Sequence, residues 1–83
     1  MERSGRIEGV GEFKITLELN RNIIRDINIA GDFFLLGDLD SITHRLKGCQ
    51  FIENELEKAL SDIDVSTVIM SLTKRQFLSL LLG

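Results

Sequence analysis

The chain has 83 residues, and its ten Lys or Arg against thirteen Asp or Glu give a formal net charge of −3. Because domains usually run to about 100–200 residues, this length predicts a single domain spanning residues 1–83. A hydrophobic content of 43% excludes a disordered tail, and the acidic balance argues against nucleic-acid and membrane partners. The core of so short a chain is small, so we expect it to be supported by a partner.

Reactive side chains are scarce. A single histidine, His44, and a single cysteine, Cys49, exclude a zinc site built from four Cys and His ligands of this chain. The glycines at positions 9 and 11 lack the spacing of a dinucleotide fingerprint or a P-loop, so no phosphate motif is predicted. One cysteine cannot form an internal disulfide framework, which favours a cytoplasmic location. The composition therefore favours a non-catalytic module.

The first half of the chain predicts strands. Strict alternation of apolar and polar residues over positions 12–19 is typical of a strand with one buried and one solvated face. Positions 20–22 offer turn residues, because Asn tolerates left-handed backbone angles, and positions 23–30 are expected to return as the second arm of a hairpin. A third strand is predicted around positions 6–8, which completes a three-stranded antiparallel meander. The residues expected on the buried face of the second arm are Ile23, Ile27 and Ile29, with Arg25 as the exception.

The second half predicts three helices that cover the apolar face of the sheet. The first is expected to run from a cap at Asp38 to about Lys47, with His44 opposite its apolar stripe and therefore solvated. The second is expected over about positions 52–63, where an acidic first turn suits the helix dipole. Thr73 and Gln76 match a capping box, so the third helix is expected to begin there. Positions 64–72 fit neither period, and the expected fold class is α+β.

The order of these features carries a family resemblance. An apolar strand ending in Gly-Asp-Phe-Phe, a helix ending in Leu-Lys-Gly and a following aromatic residue form an ordered series over most of the chain. This series resembles the small C-terminal accessory domain of lipoate–protein ligases. The chain departs from the family at positions 68–71, which read Val-Ile-Met-Ser where an aromatic residue and a glycine are common. The residues that carry the series are Gly31, Asp32, Phe33, Phe34, Leu46, Lys47, Gly48 and Phe51.

The resemblance implies a part in lipoylation. Ligases of this family activate lipoic acid with ATP to lipoyl-adenylate and pass the lipoyl group to a lysine of a carrier domain. Their catalytic residues lie in a large N-terminal domain, so this chain is expected to be a non-catalytic accessory domain that docks on it, fused or separate. ATP, Mg²⁺ and lipoate are implied for the complete ligase and none for this chain. Of a natural small subunit and an excised domain beginning at an added Met1, we favour the second.

Two interpretations apply to the strand exit at Gly31, Asp32, Phe33 and Phe34. The resemblance makes these four residues candidates for contact with the catalytic domain or the adenylate. The simpler interpretation is structural: Gly31 makes a tight turn, Asp32 bonds backbone amides, and both phenylalanines fill the core between sheet and helix. No catalytic residue and no metal ligand is predicted in this chain.

A rival function uses Cys49. The accessory fold is similar to that of iron–sulfur scaffold and sulfur-acceptor proteins, and a sulfur acceptor needs one reactive cysteine on an exposed tip. Cys49 follows the helix stop at Gly48, but Lys47 is its only cationic neighbour in sequence, and a lowered thiol pKa needs more than that. A cluster scaffold with three cysteine ligands is excluded by count. A structural domain of an unrelated enzyme is the third interpretation.

Overall fold

The computed structural model describes residues 1–83, and its three antiparallel strands followed by helices confirm the expected α+β class. The sheet order is β1-β2-β3, a meander. Its strands are β1 (Glu2–Ile7), β2 (Gly11–Asn20) and β3 (Ile23–Phe33). The helices are α1 (Asp40–Leu46), α2 (Glu53–Ala59) and α3 (Lys74–Leu82), with a 3₁₀ turn at Val65–Thr67.

Alternation along β2 decides which face of the sheet is buried. Phe13, Ile15 and Leu17 are at most 3% exposed, while the residues between them are exposed, as a period of two requires. The helices pack on this face, with α1 against β3 and α3 against β1. The buried apolar side chains form one core of 17 residues, and removing them from water is the main force that holds sheet and helices together.

The pairing of β1 with β2 begins closer to the N-terminus than the sequence pattern predicts. The N-terminal amine of Met1 donates to the carbonyl oxygen of Leu17 at 3.0 Å, and the Leu17 N–H donates back to Met1 at 2.8 Å. β1 therefore begins at Glu2 and not near position 6. At the other end of β2 the hairpin turns through Arg21 and Asn22, whose φ angles of 53° and 62° are those a two-residue hairpin turn requires.

A bulge in β3 changes the expected inward face. Pairing with β2 shifts between Glu18 and Leu19, which makes Arg25 an extra residue that opposes no single partner. Because an extra residue reverses the faces on either side of it, Ile24 is fully buried and Ile23 only half-buried. The prediction that Ile23 points inward is therefore wrong. The other two residues predicted on this face, Ile27 and Ile29, are buried.

The helix ends follow local signals. In the predicted capping box, the hydroxyl oxygen of Thr73 accepts from the Gln76 N–H at 3.2 Å, and the Gln76 side chain accepts from the Thr73 N–H at 3.0 Å. The predicted cap at Asp38 is wrong, because Leu39 is the N-cap of α1 and no side chain caps the helix. The Asp38 carboxylate instead accepts from the Asp40 N–H at 3.0 Å, in the turn that leads into α1. α2 ends at Ala59, four residues earlier than expected, and a turn continues to the 3₁₀ segment.

The segment that fits neither period forms the 3₁₀ turn and a short bridge. Leu35 and Ile69 pair as an isolated antiparallel bridge, which extends the sheet beyond β3. Ser71 then adopts a left-handed φ of 68°. The buried residues of this segment are Val65, Val68, Ile69 and Leu72.

Candidate functional site

The four predicted site residues divide into two kinds. The Phe33 ring is half-buried and stacks on Phe13, with the ring centroids 4.8 Å apart and the planes at 12°. Asp32 and Phe34 are exposed, Phe34 to 64%. The structural interpretation holds for Phe33 only: Phe34 does not fill the core, and Gly31 lies within β3 and makes no tight turn. Contact with a partner remains a prediction, and Asp32 and Phe34 are the two side chains most available for it.

Two glycines let β2 and β3 approach closely beside the site. Gly11 and Gly31 have φ angles of 146° and 147°, which side chains rarely allow. A Cβ atom at Gly31 would overlap the carbonyl oxygen of Glu12, and one at Gly11 would overlap that of Asp32. Glycine is therefore required at both positions.

Asp32 presents an unpaired negative charge. It lies opposite Glu12 on the outer face of the sheet. Arg6 bonds Glu12, with 3.1 Å between its Nη1 and the carboxylate Oε1, whereas Asp32 has no side-chain hydrogen bond and no ion pair. The expected bonds from Asp32 to backbone amides are absent. Asp38, six residues further along the chain, does accept such a bond, from the Asp40 N–H.

An exposed apolar cluster follows β3. We call it the apolar tip and define it as Phe34, Leu35, Leu36 and Met70, which are 64%, 48%, 52% and 48% exposed. Only two other large hydrophobic residues of the chain are exposed, so the tip concentrates this kind of surface. The Met70 N–H donates to the Phe34 carbonyl at 2.9 Å, and the Leu36 N–H donates to Val68 at 2.7 Å. Clustered exposed apolar residues on an ordered backbone are typical of an interaction surface.

Three of the four tip residues were missed by the sequence prediction. Leu35 and Leu36 continue the apolar run at positions 33–37, but such a run is equally typical of a buried strand. Met70 belongs to the stretch that fits neither period, and no local pattern connects it with Phe34. The only available signal was the length of the apolar run beyond the predicted strand.

Cys49 is held in an unreactive setting. Its half-buried thiol donates to the carbonyl oxygen of Arg45 at 3.3 Å. Burial raises the pKa of the Cys49 thiol above its ordinary value, and the negative charge of Glu55 raises it further. Because the thiolate is the nucleophile, this environment opposes a sulfur-acceptor role. His44 lies exposed on α1, as expected, and its side chain has no hydrogen-bond partner.

No group of three or more His, Cys, Asp or Glu side chains is placed to hold a metal ion, and every buried side-chain nitrogen or oxygen has a hydrogen-bond partner. The largest groove, about 680 Å³, lies between α2 and α3 away from the tip, and three of its ten lining residues are hydrophobic. No helix has the length and apolar character that crossing a membrane requires.

Comparison with known proteins identifies the family. Residues 1–81 match the family described as bacterial lipoate protein ligase C-terminus, and the chain belongs to it, which confirms the resemblance. Lipoate-protein ligase LplJ of Bacillus subtilis strain 168 is 32% identical over 72 residues, which are 87% of this chain and 22% of that protein. Lipoate–protein ligase 2 of Staphylococcus aureus strain Mu50 is 29% identical over 81 residues, 98% of this chain and 24% of that protein. The chain thus spans less than a quarter of the length of these relatives.

Proposed function

We propose that this chain is the non-catalytic accessory domain of an ATP-dependent lipoate–protein ligase of the cytoplasm. The observation that carries the proposal is the match of residues 1–81 to the C-terminal part of bacterial ligases. The relatives are named as whole ligases, and this chain accounts for 22–24% of their length. The environment of the two most reactive side chains supports the same proposal. His44 is exposed and has no hydrogen-bond partner, and burial raises the pKa of the Cys49 thiol and so favours its neutral form.

In this proposal the domain supports formation of lipoyl-adenylate by docking on the catalytic domain. Docking excludes water, which would hydrolyse the adenylate, and it limits the motion of the reacting groups. The catalytic domain binds ATP, Mg²⁺ and lipoate, and it passes the lipoyl group to a lysine of a carrier domain. This chain contributes surface and not reacting groups, and it meets the lipoyl carriers only indirectly.

The test replaces the matched part of LplJ by this chain and measures the rate of lipoyl-adenylate formation from ATP and lipoate. We expect removal of the matched region to lower the rate at least tenfold, and the chimera to recover a rate within threefold of intact LplJ. A chimera carrying Phe77→Asp is the control, because a charge at this fully buried position should unfold the domain and abolish the recovery. A parent chimera as slow as the deletion variant would contradict the proposal.

A further inference from the structure

We propose that the apolar tip is the surface by which this chain docks on the catalytic domain of the ligase, against an apolar pocket edged by Lys and Arg. This inference rests on the proposed function and adds the surface and the chemistry of its partner. It starts from the distribution of exposed apolar side chains. Outside the tip only Met1 and Ile52 are large, hydrophobic and exposed, and they lie at the chain terminus and before α2.

The backbone presents the tip in a fixed arrangement. The register of the Leu35–Ile69 bridge puts Phe34 directly opposite Met70, and side chains opposite each other in an antiparallel pair are neighbours. The approach of the two segments is close, since a Cβ atom at Gly37 would lie 3.0 Å from the carbonyl oxygen of Thr67. An exposed surface that is already ordered loses little conformational entropy on docking, which favours binding.

Charge around the tip indicates the chemistry of the partner. Positions 31–41 contain three aspartates, Asp32, Asp38 and Asp40, and no Lys or Arg. None of the three takes part in an ion pair. Asp38 and Asp40 share a groove with Arg45 and Lys47, so Asp32 is the charge most fully left for a partner. A second copy of this chain would bring the same acidic edge against itself and be repelled. A basic rim around an apolar pocket fits both the aspartates and the tip.

Other surfaces fit a large partner less well. The outer face of β2 is polar along its whole length, and the sheet carries cross-strand ion pairs between Arg6 and Glu12 and between Lys14 and Glu2. The groove between α2 and α3 is lined mainly by polar and charged side chains. Apolar side chains at the centre of a protein interface contribute most of its affinity, and the tip holds four of the six exposed large hydrophobic residues of the chain.

The test measures how accessible the tip is in the free chain and in the LplJ chimera. A Leu36→Cys variant in a Cys49→Ser background carries one thiol in this chain, which is labelled with a maleimide in the presence of ATP and lipoate. Peptide mass spectrometry follows the fraction of that thiol that has reacted over time. We expect labelling at least tenfold slower in the chimera than in the free chain. Phe34→Asp in the same chimera should restore the rate to within twofold of the free chain.

Ile52→Asp is the matched control. Ile52 is 43% exposed and lies outside the tip, and aspartate suits its position before the first turn of α2. This variant should keep both the fold and the slow labelling, and thermal unfolding of each free variant verifies the fold. Asp32→Asn combined with Asp38→Asn should speed labelling in the chimera at least threefold at low salt, because the charge attraction to the basic rim is lost.

The outcomes separate the two proposals. Equal labelling in the free chain and in a chimera that forms lipoyl-adenylate would overturn the docking surface and leave the proposed function standing. A chimera that forms no adenylate would overturn the proposed function. If labelling in that chimera is fast, the proposed docking surface is overturned as well. If labelling is slow, the tip is still a contact surface. Labelling that is slow but insensitive to the two aspartates would overturn the basic rim.

Discussion

At the scale of single residues, Gly11 and Gly31 control the geometry beside the candidate site. Each occupies a backbone conformation that disfavours side chains, and each faces a carbonyl oxygen of the neighbouring strand. Phe33 follows two residues after Gly31 and packs back onto Phe13, so the next residue, Phe34, is directed to solvent.

Gly31→Ala should destabilise the domain by about 3 kcal/mol or more, because the strained φ and the overlap with the Glu12 carbonyl add to each other. Gly48→Ala is the control: Gly48 has a φ of 88° but open space around it, so the loss should be about 1–2 kcal/mol. Urea unfolding followed by circular dichroism measures both. Equal losses would show that the close crossing of β2 and β3 adds nothing beyond backbone strain.

Ser71→Gly should stabilise the domain by about 0.5–1 kcal/mol, because glycine removes the left-handed strain at a φ of 68° and loses part of that gain to chain entropy. Ser79→Gly, at an exposed position within α3, should instead cost about 0.5 kcal/mol through its helix propensity. The melting temperatures of the two variants give the comparison. A Ser71→Gly variant that melts below the parent would mean that the serine side chain makes a stabilising interaction.

At the scale of elements, α1 depends on its connections. It has seven residues, too few for a helix that is stable by itself. After it, the Gly48 N–H donates to the Ile24 carbonyl at 2.8 Å and the Ile24 N–H donates to Cys49 at 2.9 Å, which ties the end of the helix to β3. Arg45 bonds the Asp62 carboxylate, with its Nε 3.0 Å from Oδ1, and links α1 to the turn after α2.

Asp62→Asn tests this link through its pH dependence. The hydrogen bond from Arg45 lowers the pKa of Asp62 below its ordinary value, so protonation favours the unfolded chain. The stabilisation is therefore fully present above the unfolded pKa near 3.8 and is lost as the pH falls through the lower folded pKa. We expect the parent to exceed the Asn variant in unfolding free energy at pH 7 and the difference to vanish in strong acid.

Urea unfolding at a series of pH values provides the measurement for Asp62→Asn. Glu57→Gln removes an exposed carboxylate that has no ion pair and serves as the control. A difference between parent and Asp62→Asn that stays constant from pH 7 to pH 2 would show that the link does not involve the ionised carboxylate. Because the pair is exposed, high salt should also reduce the difference.

At the scale of the whole molecule, the sheet uses one face for the core and leaves the other to solvent. This arrangement buries 17 apolar side chains of an 83-residue chain, and four of the six large hydrophobic residues that stay exposed belong to the apolar tip. Support by a partner, expected from the small size of the core, stays a prediction, and the apolar tip is the surface that would receive it. The chain accounts for only 22–24% of the length of the two ligases it matches.

Local signals in the sequence predicted much of this fold. The alternation in β2 and the capping box of α3 depend on residues within a few positions of each other, and both are confirmed. The reversal at Ile23 and Ile24 depends on the extra residue Arg25, and a bulge is defined only by pairing with another strand. The left-handed angle at Ser71 likewise results from the bridge and turns around it and not from its own preference.

The sequence by itself determined the fold class, the scarcity of reactive groups and, through the ordered series that includes Gly31 and Asp32, the family. These depend on composition and on spacing along the chain. Only the tertiary structure decided that Phe33 is half-buried while Phe34 is exposed, and that Met70 lies opposite Phe34. The reason is physical: adjacent residues in an apolar run have the same hydrophobicity, and only the packing of distant segments decides which of them remains in contact with water.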